Sequence, residues 1–84
     1  HRSLLNVREI FVKLFLCGAV GFFLVHNHPS QNTEPSDMDR VYTHQMEKAA
    51  KLMEIEFLDH IIIGNGYYSF REQKQLLLNQ REPV

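Results

Sequence analysis

The chain has few of the residues that build disulfide scaffolds or disordered segments. Its 84 residues include one cysteine, no tryptophan, three prolines and four glycines. One cysteine cannot form an intramolecular disulfide, so a disulfide-stabilised secreted scaffold is excluded, and we expect a buried, inert Cys17 in a cytoplasmic protein. A chain that is 44% hydrophobic and poor in proline and glycine is also neither disordered nor collagen-like. These absences leave a single small domain, residues 1–84.

An excess of one charge and a long apolar run are also missing. Nine Lys and Arg residues balance ten Asp and Glu residues, for a net charge of −1. The sequence has no cluster of basic residues of the kind that would indicate direct nucleic-acid binding. The longest apolar run, 11–25, has fifteen residues and contains Lys13. A membrane-spanning helix needs about 20 apolar residues. We therefore expect no membrane span.

Hydrophobic periodicity divides the chain into six elements in the order helix, strand, helix, strand, strand, helix. The helices are predicted to run from Asn6 to about Cys17, from Ser36 to Met53 and from Ser69 to Gln80. The predicted strands are FFLV after Gly21, the segment 55–63, and YYSF after the GNG turn at 64–66. This order predicts an α/β fold built on a mixed sheet.

The same patterns predict which side chains are buried. The continuous apolar run at 22–25 indicates a strand covered on both faces and therefore central in the sheet. Strict alternation places Phe57 and Asp59 on one face of the next strand and His60 on the other, with a structural hydrogen bond as the role of the Asp59–His60 pair. His44 is expected at the surface of the second helix. The predicted buried stripe of that helix is Met38, Val41, Tyr42, Gln45, Met46, Ala49, Ala50 and Met53.

The stretch LVHNHPSQNTEPSDMD, residues 24–39, allows two interpretations. His26 and His28 are two apart, so on an extended backbone both imidazoles point to the same face and can converge on one ion. Asp39 could be a third ligand if the intervening loop folds back, and catalytic zinc sites commonly use three protein ligands and a water. Alternatively, Ser36 and Asp39 form a capping box at a helix N-terminus, with no metal involved.

Two longer segments resemble a known family. HNHPS…PSDMD at 26–39 and LDHIIIGNGYYSFRE at 58–72 closely resemble the RadC-like branch of the JAB/MPN (JAMM) metalloprotease superfamily. The signature of that family is His-x-His-Pro, a short spacer and Ser-x-x-Asp. The matching residues here are His26, His28, Pro29, Ser36 and Asp39.

The resemblance implies a fold, a cofactor and an activity. The fold would be a mixed β-sheet sandwiched by helices, a cytidine-deaminase-like architecture. His26, His28 and Asp39 would be ligands of Zn²⁺, with Ser36 as a catalytic residue that orients the water or stabilises an oxyanion. The reaction would be hydrolysis of an amide or isopeptide bond in a peptide or protein substrate.

The chain also departs from the family pattern. The glutamate that serves as general base in the family lies on a strand well upstream, and neither Glu9 nor Glu34 occupies that position. Gln31 replaces a usual glycine and would strain the loop if its φ is positive. These departures predict an N-terminally truncated domain that lacks upstream strands and is inactive alone. The alternative is a non-catalytic binding or scaffold module associated with DNA repair or mobile elements. An uncovered sheet face would also favour homo-oligomers.

Overall fold

In a computed structural model, residues 6–77 are described, and they form two helices and a three-stranded sheet. In chain order the elements are α1 (Val7–Leu16), β1 (Gly21–Asn27), α2 (Asp37–Met53), β2 (Glu56–Gly64) and β3 (Gly66–Ser69). The sheet order is β1-β2-β3, with β1 parallel to β2 and β3 antiparallel to β2. The predicted α/β class and mixed sheet are therefore confirmed. Neither α1 nor α2 is long and apolar enough to cross a membrane.

The first helix begins and ends close to where its sequence pattern predicts. The Asn6 side chain caps it by accepting a hydrogen bond from the Glu9 N–H at 2.8 Å. Phe11 is buried and meets Phe22 of β1 edge-to-face, with ring centroids 5.6 Å apart. The prediction of a buried Cys17 is wrong: Cys17 is the C-cap residue and is exposed, because it follows the last helical turn rather than entering β1.

The second helix has the predicted length but is rotated relative to the predicted stripe. Four members of the predicted buried set are exposed, namely Met38, Val41, Gln45 and Met53. Met46 and Ala50 are buried as predicted, and the polar residues Asp39, Thr43 and Glu47 are buried with them. Asp39, Thr43 and Glu47 follow one another at four-residue intervals, so a stripe of polar side chains faces inward beside Met46 and Ala50. His44 is exposed, as predicted.

Both helices pack on one face of the sheet. Phe22 contacts α1, and His60 of β2 contacts α2 from the same face. β1 lies at the edge of the described sheet, and Phe23 and Val25 are 57% and 53% exposed on its opposite face. The prediction of a central strand covered on both faces is therefore not met by the part of the chain that the structure describes. Continuous apolarity indicated two covered faces, but only one has a described layer.

A β-bulge in β2 changes which face of the sheet its side chains point to, compared with the predicted alternation. The register with β1 pairs Phe22 with Phe57 but Phe23 with Asp59, so Leu58 is an extra residue in β2. Phe57 and His60, which strict alternation put on opposite faces, are consequently both fully buried on the helix side. The bulge is what brings His60 into the core.

The predicted hairpin forms, but the predicted final helix does not. β2 and β3 pair across Gly64 and Gly66. After Ser69 the chain makes a single hydrogen-bonded turn that ends at Lys74, whose φ is +58°. A left-handed residue interrupts a helix, and the next residues bring Leu76 into the core, where it is fully buried. Positions 78–80 of the predicted helix lie outside the described residues.

We expect self-association through the sheet face that no described element covers, defined here by Phe23, Val25, Ile63 and Tyr67, all of which are exposed among residues 6–77. Sedimentation velocity over a range of concentrations should show dimers or larger species, and Phe23→Glu should shift them towards monomer. Val20→Glu is the control, because Val20 is 84% exposed but precedes β1. A wild-type protein that stays monomeric at high concentration would contradict this expectation.

Candidate metal centre

The carboxyl end of β1 and the first turn of α2 bring three potential metal ligands together. One ligand atom from each of His26, His28 and Asp39 lies within 4.8 Å of the others. The Nε2 atom of His28 is 2.9 Å from Asp39 Oδ2, and that of His26 is 3.5 Å from Asp39 Oδ1. The loop between them folds back, which is the condition under which Asp39 can join the two histidines. Two imidazoles and a carboxylate at such spacing are a group of side chains that could hold a metal ion.

The capping box is present at the same place as this cluster. The Ser36 side chain accepts a hydrogen bond from the Asp39 N–H at 3.0 Å, and Asp39 Oδ2 accepts one from the Ser36 N–H at 2.9 Å. Burial alone would raise the pKa of Asp39, but its contacts with Ser36, His28 and His26 lower it overall. The two interpretations of this stretch are therefore compatible, since the cap fixes the carboxylate that faces the histidines.

The loop after β1 orients His28. The backbone N–H of His28 donates a hydrogen bond to the Ile63 carbonyl at 3.0 Å, and the ring atom Nδ1 lies 2.7 Å from the Asn32 carbonyl oxygen. A carbonyl can only accept, so Nδ1 carries the proton and Nε2 faces Asp39. Gln31, next to Asn32, has a φ of +68°. The suspected strain at this position is therefore real, because a side chain is unfavourable in that conformation.

We expect Gln31→Gly to stabilise the protein by about 0.5–1 kcal/mol, because relief of the positive φ outweighs the added freedom of the unfolded chain. Thermal unfolding should show a rise of a few degrees in Tm. Ser30→Gly is the matched control: φ at the neighbouring Ser30 is not positive, so glycine there should lower Tm. A fall in Tm for Gln31→Gly would contradict the strain argument.

His60 is the core residue that completes this region, and the sequence patterns did not connect it with the two histidines of β1. Its Nε2 lies 2.9 Å from His26 Nδ1, and its Nδ1 lies 2.6 Å from Thr43 Oγ1. The ring stacks on Phe70 with a 7° interplanar angle. Thr43 follows Asp39 by one helical turn on the buried face of α2. This four-residue spacing is the sequence signal that could have identified Thr43 as a residue near the site.

Burial determines the charge state of His60. Desolvation, with a smaller contribution from His26, lowers its pKa from 6.5 to about 4. Between those two values the unfolded chain binds a proton that the folded chain does not. The free energy of unfolding of the metal-free protein should therefore fall as the pH drops from 6.5 towards 4, by up to about 1.4 kcal/mol per pH unit from this group.

Urea unfolding at several pH values in this window tests that prediction. His60→Gln cannot titrate, so its stability should fall less steeply with decreasing pH than that of the wild type. Equal slopes for the two proteins would contradict a neutral, buried His60.

Other polar residues singled out in the sequence have structural contacts. Asp59 Oδ1 accepts hydrogen bonds from the backbone N–H groups of His60 at 2.7 Å and Arg71 at 2.9 Å, which confirms a structural role for Asp59. Glu34 lies on the loop and pairs with Arg40 at 3.4 Å. Glu9 is exposed in the first turn of α1. Neither glutamate belongs to the group of potential ligands around Asp39.

Comparison with known proteins agrees with this geometry. The sequence profile of the RadC-like JAB domain matches residues 1–76. A UPF0758 protein of Chlorobium phaeovibrioides is 48% identical over 77 residues, covering 90% of this chain and 34% of that protein. A UPF0758 protein of Thermotoga maritima is 38% identical over 76 residues, covering 89% of this chain and 34% of that protein. The chain thus spans about a third of the length of these relatives. It belongs to the RadC-like JAB domain family.

Proposed function

We propose that this chain carries the zinc site of a RadC-like metallohydrolase that cleaves amide or isopeptide bonds in peptide or protein substrates. The observation that supports the proposal best is the convergence of three electron-pair donors, His26, His28 and Asp39, within 4.8 Å of one another. Each is held by a contact of its own outside the cluster: His26 by His60, His28 by Asn32 and Asp39 by Ser36. Such outer contacts are typical of metal ligands.

The electrostatics of the cluster favour a bound cation. With the Nδ1 proton of His28 directed to Asn32, its Nε2 lone pair points at a carboxylate oxygen 2.9 Å away. Two lone pairs at this distance repel unless a positive charge lies between or beside them. That charge is either a second proton on His28 or a metal ion. Nitrogen and carboxylate ligands in a set of three favour zinc over magnesium or calcium, which prefer oxygen ligands.

The residues of the site have distinct roles in the proposed reaction. A bound zinc ion would supply Lewis acidity, which activates water and polarises a carbonyl group. Asp39 offsets part of the positive charge and holds its geometry through the Ser36 N–H. The Ser36 oxygen already accepts from the Asp39 N–H, so its hydroxyl proton is available for donation to a water or an oxyanion.

We propose no residue of this chain as the general base of the reaction. Glu34 is engaged with Arg40, and Glu9 is on the first turn of α1, so neither is proposed for this role. We propose that the chain binds zinc but does not hydrolyse substrate at a useful rate by itself. The second candidate is a binding or scaffold module, with DNA repair or mobile elements as its setting, and the pairing of Glu34 away from the ligand cluster favours it. We also propose a cytoplasmic location, since the exposed thiol of Cys17 suits a reducing compartment.

Zinc stoichiometry tests the proposal. Metal-free protein is incubated with zinc, separated from unbound ion, and measured by elemental analysis and thermal unfolding. We expect one zinc per chain and a stabilisation of about 2.7 kcal/mol when free zinc is a hundredfold above Kd. Absence of bound zinc, together with an unchanged Tm, would refute the metal site. Cleavage of an isopeptide substrate by the zinc-loaded chain would refute the scaffold alternative.

A further inference from the structure

A continuous hydrogen-bond chain links the backbone of α2 to the His26 ring. Thr43 Oγ1 lies 2.7 Å from the Asp39 carbonyl oxygen and 2.6 Å from His60 Nδ1. On the other side of the ring, His60 Nε2 lies 2.9 Å from His26 Nδ1. Thr43 and His60 are both buried, so their polar atoms must find partners within the protein.

Only one order of protons satisfies all three contacts. The carbonyl oxygen of Asp39 can only accept, so the single hydroxyl proton of Thr43 is donated to it. Thr43 Oγ1 must then accept from His60 Nδ1, which places the one ring proton of neutral His60 on that atom. His60 Nε2 is consequently an acceptor, and His26 Nδ1 donates to it. The remaining nitrogen of His26, Nε2, has its lone pair and faces Asp39 at 3.5 Å.

We propose that Thr43 and His60 are positioning residues that fix His26 in the Nδ1–H tautomer, with Nε2 ready to bind a metal ion. This assignment rests on the proposed zinc site only in taking His26 to be a ligand. Without the Thr43 hydroxyl, His60 can move its proton to Nε2 and donate to His26 Nδ1. His26 then carries its own proton on Nε2, where it blocks the ligand lone pair.

The packing around His60 removes the other ways in which the ring could adjust. Its side chain is fully buried, and it lies between the stacked ring of Phe70 and the edge-to-face ring of Tyr42. Rotation of the imidazole would break contacts with both aromatic rings. The same constraint accounts for the polar stripe of α2: Thr43 must face inward to reach His60, and this orientation leaves Met38 and Val41 exposed.

Two substitutions at one position test the proposal. Thr43→Val keeps the shape of the side chain but removes the hydroxyl, whereas Thr43→Ser keeps the hydroxyl. Zinc affinity is measured by competition with a chromophoric chelator, and the tautomer of His26 in the metal-free proteins is measured by long-range ¹H–¹⁵N NMR of the imidazole rings at neutral pH. Thermal unfolding of each variant verifies that it is folded.

We expect the wild type and Thr43→Ser to show His26 protonated on Nδ1, and Thr43→Val to show a shift to the Nε2–H form with a 10–100-fold loss of zinc affinity. Rescue by serine separates the hydrogen bond from simple packing. Wild-type zinc affinity in a folded Thr43→Val variant, or an Nε2–H form of His26 in the wild type, would overturn the proposal. If the wild type binds no zinc, the zinc site itself is refuted, and the NMR comparison still decides the role of Thr43 and His60.

Discussion

Asp39→Ala is expected to reduce bound zinc from one ion per chain to almost none. The substitution removes the only carboxylate in the ligand cluster, leaving two histidines that cannot complete a three-residue zinc site. It also leaves the Ser36 N–H without the carboxylate oxygen that accepts from it at 2.9 Å. The free energy of unfolding of the metal-free variant should therefore fall by about 1–2 kcal/mol. Elemental analysis and urea unfolding measure the two effects separately.

Two further variants separate the ligand role of Asp39 from its capping role. Asp39→Asn keeps a side-chain oxygen for the Ser36 N–H but loses the negative charge, so stability should be largely retained and zinc binding lost. Asp37→Asn removes the same charge from the same helical turn, but Asp37 is exposed and lies outside the ligand cluster. The Asp37→Asn variant should bind zinc as the wild type does. Equal zinc binding by Asp39→Ala and the wild type would show that the cluster is not a metal site.

Gly64→Ala should lower the free energy of unfolding by about 2–4 kcal/mol. A Cβ atom at this position would lie 2.6 Å from the carbonyl oxygen of Gln31 and 2.9 Å from its carbonyl carbon, both of which are backbone atoms. The loop that carries Gln31 must then move away from β2, which breaks its 2.8 Å hydrogen bond with the Asn65 N–H. Since the same loop supplies the Asn32 carbonyl that orients His28, zinc affinity should fall at least tenfold as well.

Gly21→Ala is the matched control for Gly64→Ala. A Cβ atom on Gly21 would come no closer than 3.5 Å to any neighbouring atom, an ordinary van der Waals distance, and its φ is not positive. Chemical denaturation should therefore find Gly21→Ala close to the wild type in stability, and chelator competition should find its zinc affinity unchanged. Similar stabilities for the two alanine variants would mean that the loop yields without cost, contrary to the close approach at Gly64.

Local sequence patterns singled out all three potential metal ligands, His26, His28 and Asp39, because the patterns that carry them are short. The two-residue spacing of His26 and His28 places them on one side of an extended backbone whatever surrounds it. The capping box of Ser36 and Asp39 likewise depends on backbone geometry within a single helical turn. These short-range rules also located α1, α2 and the hairpin. The cap predicted at Ser69 also forms, with its side chain accepting a hydrogen bond from the Glu72 N–H at 3.0 Å. The helix predicted after it does not continue, because the chain turns at Lys74 and Leu76 is buried in the core.

Long-range packing decided what the local patterns could not. The position of His60 beside His26 depends on the bulge at Leu58, which exists only because β2 pairs with β1 in one register. The rotation of α2 follows from the need of Asp39 and Thr43 to face the sheet, whereas hydrophobic periodicity favoured an overlapping stripe that shares Met46 and Ala50 with the buried face. In each case the segment taken alone allows two orientations of nearly equal energy, and only its packing against another element selects one of them.

The sequence by itself therefore determined the family, the order of the elements through β3 and the ligand candidates His26, His28 and Asp39. The tertiary structure alone decided which residues contact the His26 ring from the core. Thr43 and His60 are 17 residues apart and contact each other only after a helix and a strand have packed together. Contacts of this kind leave no periodic signal in a single sequence, because they depend on the relative positions of two elements and not on the conformation of either one.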